Sequence, residues 1–520
     1  MKVLLVTGQL AQDMVRGYAM ESSVETETVA LKLAVAAFLT PQTIINGLKG
    51  AKLIDFNMIL VPGLVRGDTV EISKAFGVPA FKGPRYAADL PTVLDSLCDV
   101  ELSTTVPACD LLRLKLAEKA LQEIAKTEAN RAELLKKPSS MLIGNVAVGK
   151  DFPMRVLAEI VDAALMDKET IQKTAKRFVA AGANIIDVGM IAGESQPEKA
   201  RQIVQWVKEV VDIPVSIDTL DVAEIKAAIE AGAELVLSGD AGNLEEIAPY
   251  AKNCALVVIP TNQRMGYFPR KSPDRVKFLE EIIQKAKTLG VKRCIADLIV
   301  EPTNILESFI AFKQFADRNP TVPLFVGVSN VTELFDADSV GLNAILTRLS
   351  SEVDASILLA TEKSTKAKGT VAEVVAAAKM MFLAKNRGSA PKDLGIDMLI
   401  LKDKRANEEP YDRSIETGAK VVVASQTAEP AILDSAGTFK ISVDREEGVL
   451  VAAHYLSSDD IKPVNVIKGK TAETVCAKIL EKRLVSRLDH AAYLGSELSK
   501  AEVALQTGKE YIQDKELFRK

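Results

Sequence analysis

The chain has 520 residues, more than one hydrophobic core usually organises, so about two or three domains are expected. Hydrophobic side chains make up 48% and charged ones 26%, and 65 basic against 70 acidic groups leave a formal net charge of −5. This is a globular profile that gives no reason to expect a nucleic-acid or membrane-surface partner.

From the N-terminus, Val3–Thr7, Leu33–Phe38 and Met58–Val61 read as strands of a first α/β domain, residues 1–137. The opening apolar run is too short for a signal peptide, and no uncharged stretch approaches membrane-spanning length, so a cytoplasmic location is expected. Leu111–Lys137, rich in Ala, Leu, Lys and Glu, reads as a helix leading onward. Two loops, Gly63-Leu64-Val65-Arg66-Gly67-Asp68 and Lys82-Gly83-Pro84-Arg85, are candidate phosphate contacts, with tight turns as the simpler reading.

Over residues 138–388 a unit recurs: a β-branched run, a polar turn, an amphipathic helix. The strand candidates are Met141–Val146, Asn184–Val188, Pro214–Ile217, Glu234–Leu237, Ala255–Ile259, Arg293–Ala296, Pro323–Val328 and Ala355–Ala360. Alternating strands and helices imply parallel strands, and this number of units in so short a span fits a closed (β/α)8 barrel better than a doubly wound sheet. Ile171, Ala175, Phe178 and Val179 share one helical face, as do Val222, Ile225 and Ile229. Ala-Gly-Ala follows both helices, its glycine placed where a helix end needs a left-handed residue. Asn386–Asp393 is a plausible boundary, and residues 389–520 read as an α+β domain with a helical tail over Leu480–Lys509. Within it, Met398–Leu401 and Val421–Ala424 suggest a small α/β unit. Thr438–Val443, Val449–His454 and Val464–Ile467 suggest a small sheet.

Chemistry-bearing residues are few in kind. The five cysteines have no C-x-x-C spacing, which argues against a zinc knuckle or disulfide framework. The two histidines, His454 and His490, lie late in the chain, so earlier chemistry must use carboxylates, amides, lysines and backbone groups. His490 and Tyr493 read as helix packing or interface contacts.

In a (β/α)8 barrel, side chains at the C-terminal strand ends converge on one mouth. Here those positions hold Asn145, Asp187, Asp218, Ser238 with Asp240, Thr261 with Asn262, Asp297, Ser329 with Asn330, and Thr361 with Glu362. Each is singly explicable as a helix cap; together they form a ring of acceptors and amides. Carboxylates in an apolar barrel suit a flat heterocycle presenting paired N–H groups, as a pterin does, with Asp218 and Asp297 as candidates. A divalent metal held by several carboxylates is the alternative.

Residues 181–189, Ala-Gly-Ala-Asn-Ile-Ile-Asp-Val-Gly, followed by Gly193-Glu194-Ser195, resemble the second strand and loop of dihydropteroate synthases. Val215-Ser216-Ile217-Asp218-Thr219 and Glu230-Ala231-Gly232-Ala233 resemble their third strand and next helix. Ile143-Gly144-Asn145-Val146 is similar to their first strand, whose asparagine lies near the metal-bound pyrophosphate, and Ala296-Asp297 to the sixth strand that reads the pterin. The resemblance covers about half the chain and implies a pterin-binding barrel. There are departures: Ala147-Val148-Gly149-Lys150 replaces the strand-one loop, the fourth-strand asparagine has no clean match, the second-loop arginine is Gln196, and Ser329-Asn330-Val331 and Thr361-Glu362-Lys363-Ser364 replace the Ser-Arg-Lys and Arg-x-His of strands seven and eight.

Residues 327–331, Gly-Val-Ser-Asn-Val, also resemble the Gly-Leu-Ser-Asn run of pterin-dependent methyltransferases, where the asparagine lies near pterin N5. The whole layout, with His490-Ala491-Ala492-Tyr493-Leu494-Gly495 near its end, is similar to archaeal-type dihydropteroate synthase-like proteins. That resemblance implies a transferase of tetrahydromethanopterin biosynthesis, joining a dihydropterin pyrophosphate to a ribofuranosylaminobenzene phosphate. Under this reading Asn145 helps hold Mg²⁺ and pyrophosphate, Asp218 and Asp297 hold the ring, and Asn330, by the methyltransferase likeness, meets its N5 edge; Lys363 and Arg264, from their positions after strands eight and five, are candidate phosphate ligands. Asp187, Ser238, Asp240, Asn262, Ser329 and Glu362 complete the expected substrate site. The partners expected are a reduced pterin, an arylamine and a second copy of the chain as a homodimer. The alternatives are methyl transfer from a reduced pterin to a corrinoid or thiol, and non-catalytic pterin binding.

Overall fold

The computed structural model describes residues 1–392, 394–402, 411, 413–424, 432–457 and 460–518. The chain divides into two compact units, 1–398 with 404–407, and 399–403 with 408–520.

The first unit opens with a parallel sheet of β1 (Lys2–Gly8), β2 (Glu25–Leu31), β3 (Met58–Val61) and β4 (Ala80–Lys82), in the order β2-β1-β3-β4. Alternate residues of β1 feed opposite layers: Leu4 and Val6 pack with Ile44 and Ile72, while Val3 and Leu5 pack with Ala19, Leu90 and Leu94. Leu33–Phe38 is not a strand. The edge strand is the more polar Glu25–Leu31, whose alternating exposed residues hide its signal, and Ala36–Phe38 is a single 3₁₀ turn. The connecting helix is Ala108–Ala129 with a short turn, Arg131–Leu134. Its Ala120 packs against Met380, Leu383 and Ala384 of the last barrel helix.

The barrel begins later than the hydrophobic pattern indicates. Met141–Ile143 (β5) and Val146–Val148 (β6) form an antiparallel hairpin. The first barrel strand is β7, Arg155–Ile160, and the rest are β8 (Ile185–Gly189), β9 (Val215–Asp218), β10 (Leu235–Gly239), β11 (Ala255–Val258), β12 (Arg293–Ala296), β13 (Leu324–Gly327) and β14 (Ala355–Thr361). These eight parallel strands close into a barrel, β14 pairing with β7, so the fold is the expected (β/α)8 barrel. Ile143 and Val148 of the hairpin pack with Leu157, Ile185, Leu235, Ala255, Ile295, Phe325 and Ile357, which makes the hairpin a plug under the barrel interior. The outer faces of the strands pack on the surrounding helices through Val156, Ile186, Ile217, Val236 and Leu358.

Local sequence places the helices. Asp167 and Asp221 accept from Thr170 N at 2.8 Å and Glu224 N at 2.9 Å, capping Lys168–Ala180 and Val222–Glu230. Gly182 (φ 99°) and Gly232 (φ 102°) take the left-handed turns that end them.

In the second unit, β15 (Thr438–Asp444), β16 (Val449–Tyr455) and β17 (Asn465–Gly469) form an antiparallel sheet under helices Ala472–Glu481 and Leu488–Thr507. Met398–Leu401 and Val421–Ala424 form no strand; Met398 is half-buried against the Ala120 cluster, the other side chains are exposed, and no neighbouring strand pairs with them among the described residues. Asp393, at the expected boundary, lies outside the described residues.

Candidate active site at the barrel mouth

Side-chain alternation decides what faces the barrel axis. Leu157 and Ile185 face inward in the apolar layer, so Glu159 and Asp187, two residues on, face inward above them. The pairings Glu159 with Asp187 and Gly189 with Asp218 bring carboxylates of three successive strands side by side. Ligand oxygens of Glu159, Asp187 and Asp218 all lie within 4.8 Å of one another. Ser216 Oγ donates to Asp187 Oδ1 at 2.5 Å and Ser238 Oγ to Asp218 Oδ1 at 2.7 Å, while the buried Asp187 Oδ2 has no hydrogen-bond partner among the described residues.

Across the mouth, Asp297 is buried just past β12, and its Oδ1 accepts from Ile299 N at 2.7 Å. Ile299 adopts φ 63°, an unusual conformation for a β-branched residue. Beneath this loop lies Arg275, fully buried, donating to the carbonyls of Leu298 at 3.2 Å and Ile299 at 3.1 Å and paired with Glu301.

These carboxyls are held away from ordinary ionisation. Burial, then the charges of Asp218 and Asp162, push Glu159 up to about 8. Burial, then Asp218 and Glu159, raise Asp187 well above the usual range. Burial also raises Asp218 against the Ser238 hydrogen bond, and pushes Asp297 up to about 7 against the Ile299 N–H. Raised carboxyls clustered in one concavity mark a functional site more often than a structural one.

The remaining expected residues divide. Asn145 is a correction: it sits at the turn of the β5–β6 hairpin, its Nδ2 donating to Asp212 O at 3.2 Å. It is therefore exposed at the end of the barrel opposite the mouth, and the strand-one position at the mouth belongs to Glu159. Asp240 is consumed by loop structure. Its Oδ1 accepts from Gly242 N and Asn243 N at 2.7 and 3.1 Å, and its Oδ2 from Gln263 N and Thr261 Oγ1 at 2.7 and 2.9 Å. Glu362 turns outward, paired with Arg177 and accepting from Val371 N at 3.2 Å. Ser329 Oγ accepts from Thr361 N at 2.7 Å, tying the ends of β13 and β14 together. Asn330 Nδ2 donates to Val300 O at 3.3 Å, and Asn262 Oδ1 accepts from Met265 N at 3.2 Å. Lys363 Nζ bridges Asp162 at 2.7 Å, and Arg264 pairs with Glu246. No described lysine or arginine pairs with Glu159, Asp187, Asp218 or Asp297.

Sequence reading missed Glu159 and the Arg275 support. A signal for Glu159 was present, because a barrel strand should end only a few residues before its helix. The run Arg155–Ile160 does so ahead of Lys168, whereas Met141–Val146 does not.

Residues 159–353 match a family model described as pterin binding enzyme. Residues 1–85 match a family of unknown function and residues 433–514 a model described as PterinBD-DUF4346. An uncharacterized protein of Methanocaldococcus jannaschii is 40% identical, the alignment covering 100% of this chain and 99% of that protein. The dihydropteroate synthase of Clostridium beijerinckii is 31% identical over 149 residues, 26% of this chain and 54% of that enzyme. A Yersinia pestis dihydropteroate synthase structure with a pterine-sulfa conjugate aligns with 48% of this chain and 99% of that one, at 16% identity and a TM-score of 0.39. With a closed eight-stranded parallel barrel, a pterin-binding family match over its residues 159–353 and a relative alignable from end to end, the chain belongs to the dihydropteroate synthase-like, pterin-binding (β/α)8-barrel proteins.

Proposed function

We propose that the barrel mouth joins a dihydropterin, carried as its pyrophosphate, to an arylamine, the ribofuranosylaminobenzene phosphate of tetrahydromethanopterin biosynthesis. The observation that carries this reading is the set of inward carboxylates at the mouth, with Asp297 poised near neutrality at about 7. A carboxylate there can accept the paired N–H groups of a pterin's 2-aminopyrimidinone edge, with the charge of Asp218 felt across the mouth. The arylamine attacks the pterin methylene carbon with its own lone pair. A C–N bond forms, the C–O bond to pyrophosphate breaks, and the surplus proton leaves the amine for a mouth carboxylate or water.

Mg²⁺ would fit Glu159, Asp187 and Asp218, which are hard oxygen donors and include the unpartnered Asp187 Oδ2. When bound, such an ion neutralises charge on the leaving pyrophosphate. In this reading the chain's own groups bind and orient: Asp297 would hold the ring, Asn330 would meet its N5 edge, and Lys363 or Arg264 would take a substrate phosphate by exchanging it for Asp162 or Glu246. Pyrophosphate should be released only when dihydropterin pyrophosphate, Mg²⁺ and the arylamine are all present. Silence in that mixture, with turnover of a methylated reduced pterin and a corrinoid or thiol acceptor, would select methyl transfer instead.

A further inference from the structure

We propose that Glu159, Asp187 and Asp218 form a resident divalent-cation site, loaded by the protein alone before any pyrophosphate arrives. Its purpose rests on the condensation reading; its existence rests on geometry.

The three carboxylates come from adjacent strands, and their ligand oxygens lie within 4.8 Å of one another. The site is built. Hydroxyls of the next strand hold one oxygen each of Asp187 and Asp218, Ser216 at 2.5 Å and Ser238 at 2.7 Å. Each carboxylate is thereby oriented with its other oxygen free, the usual arrangement of ligands steadied by outer partners. Asp187 is 0% exposed, and its Oδ2 has no hydrogen-bond partner, which in a barrel interior calls for a cation or a proton. Gly189 belongs to the same design, since a Cβ there would overlap Glu159 Oε1; the missing side chain is the space the carboxylate fills.

The nearest basic side chain named at the mouth, Lys363, is engaged by Asp162 at 2.7 Å. Three oxygen-donor anions without nitrogen or sulfur select Mg²⁺, Mn²⁺ or Ca²⁺ over softer metals. A single strand-one asparagine, the ligand that the resemblance assigns, is neutral and would need the substrate's pyrophosphate to complete a site. Here Glu159 stands at that position with two further carboxylates beside it. The protein's own carboxyl oxygens then supply ligands that would otherwise come from the pyrophosphate. A fixed cation also supplies positive charge where Ser329-Asn330-Val331 carries none and the strand-eight Lys363 is taken by Asp162.

The test uses the full chain, stripped with chelator and free of pterin. Mn²⁺ titrated in while the free-ion paramagnetic resonance signal is followed should bind at one site per chain, and Mg²⁺ should displace it. Asp187→Asn and Glu159→Gln should each weaken Mn²⁺ binding by about tenfold or more, and Ser216→Ala, which leaves all three carboxylates in place, by a smaller factor. Glu352→Gln, at an exposed carboxylate elsewhere, should leave it unchanged. Thermal melts of each variant report whether it is folded. Absence of Mn²⁺ binding to the unmutated chain at millimolar ion overturns the proposal, as does binding untouched by all three site substitutions. Mn²⁺ binding without pyrophosphate release would sink the condensation reading and leave the site standing. Condensation without substrate-free Mn²⁺ binding would do the reverse.

Discussion

Arg275→Met removes a guanidinium that is 0% exposed and lies under the loop carrying Asp297. It donates to Pro269 O at 3.1 Å, Leu298 O at 3.2 Å, Ile299 O at 3.1 Å and Arg270 O at 3.3 Å, and it pairs with Glu301. Breaking a buried ion pair costs about 3–5 kcal/mol. Glu301 keeps Arg270 as a second partner, so the expected loss of folding stability is at the low end, about 3 kcal/mol. A second effect reaches the site. Ile299 at φ 63° carries about 1–2 kcal/mol of left-handed strain, held in place partly by Arg275 on its carbonyl. Once released, it should relax, withdrawing its N–H from Asp297 Oδ1, now 2.7 Å away. Affinity for 7,8-dihydropterin should then fall about tenfold, or about 1.4 kcal/mol. Urea denaturation measures the first effect, and calorimetry, at a temperature where the variant is folded, measures the second. Adding Ile299→Gly to Arg275→Met should restore most of the affinity and none of the stability, because glycine takes positive φ without strain. Undiminished affinity in Arg275→Met, or no recovery on adding Ile299→Gly, would refute the coupling between guanidinium, loop and Asp297.

Asp297→Asn should weaken dihydropterin binding by about 2–4 kcal/mol, since a buried charged hydrogen bond is lost; calorimetry on folded protein checks this, and unchanged affinity would exclude Asp297 from the ring. Lys363→Met should leave stability within about 1 kcal/mol, because its bridge to Asp162 is 62% and 37% exposed. It should raise KM for the phosphorylated arylamine by the equivalent of about 1.5–3 kcal/mol and leave the unphosphorylated arylamine unaffected; equal losses for both would move Lys363 away from the phosphate. In the C-terminal domain, burial opposes ionisation of Asp434, yet hydrogen bonds from Ser486, Ala436 and His490 hold it far below the usual carboxylate range. A depressed folded-state pKa stabilises above the unfolded value of about 3.9, and that contribution disappears as pH falls further below it. Asp434→Asn should therefore speed amide exchange in β15–β17 at neutral pH and make the domain's acid sensitivity shallower below about pH 4; equal acid sensitivity in both proteins would remove Asp434 from the explanation.

Much of the barrel was legible in the residues alone. Seven of its strands coincide with β-branched runs, because a strand buried on both faces must be apolar throughout and its helix must show one apolar face. Asp187, Asp218 and Asp297 were visible as polar residues closing such runs, and their place at one mouth follows from parallel topology. The first strand was not legible. Met141–Val148 is as apolar as a barrel strand because it plugs the interior from below, and burial looks the same in sequence whichever end of the barrel supplies it. Nor could sequence tell which polar residues are free to meet a ligand. Glu362 is taken by Arg177, 185 positions away, and Lys363 by Asp162, 201 positions away. Such pairings join the first and last βα units, and only closure of the barrel between β14 and β7 brings them together. Local sequence specifies period and chemistry; which carboxylates stay unpaired is decided by the charges that closure puts next to them.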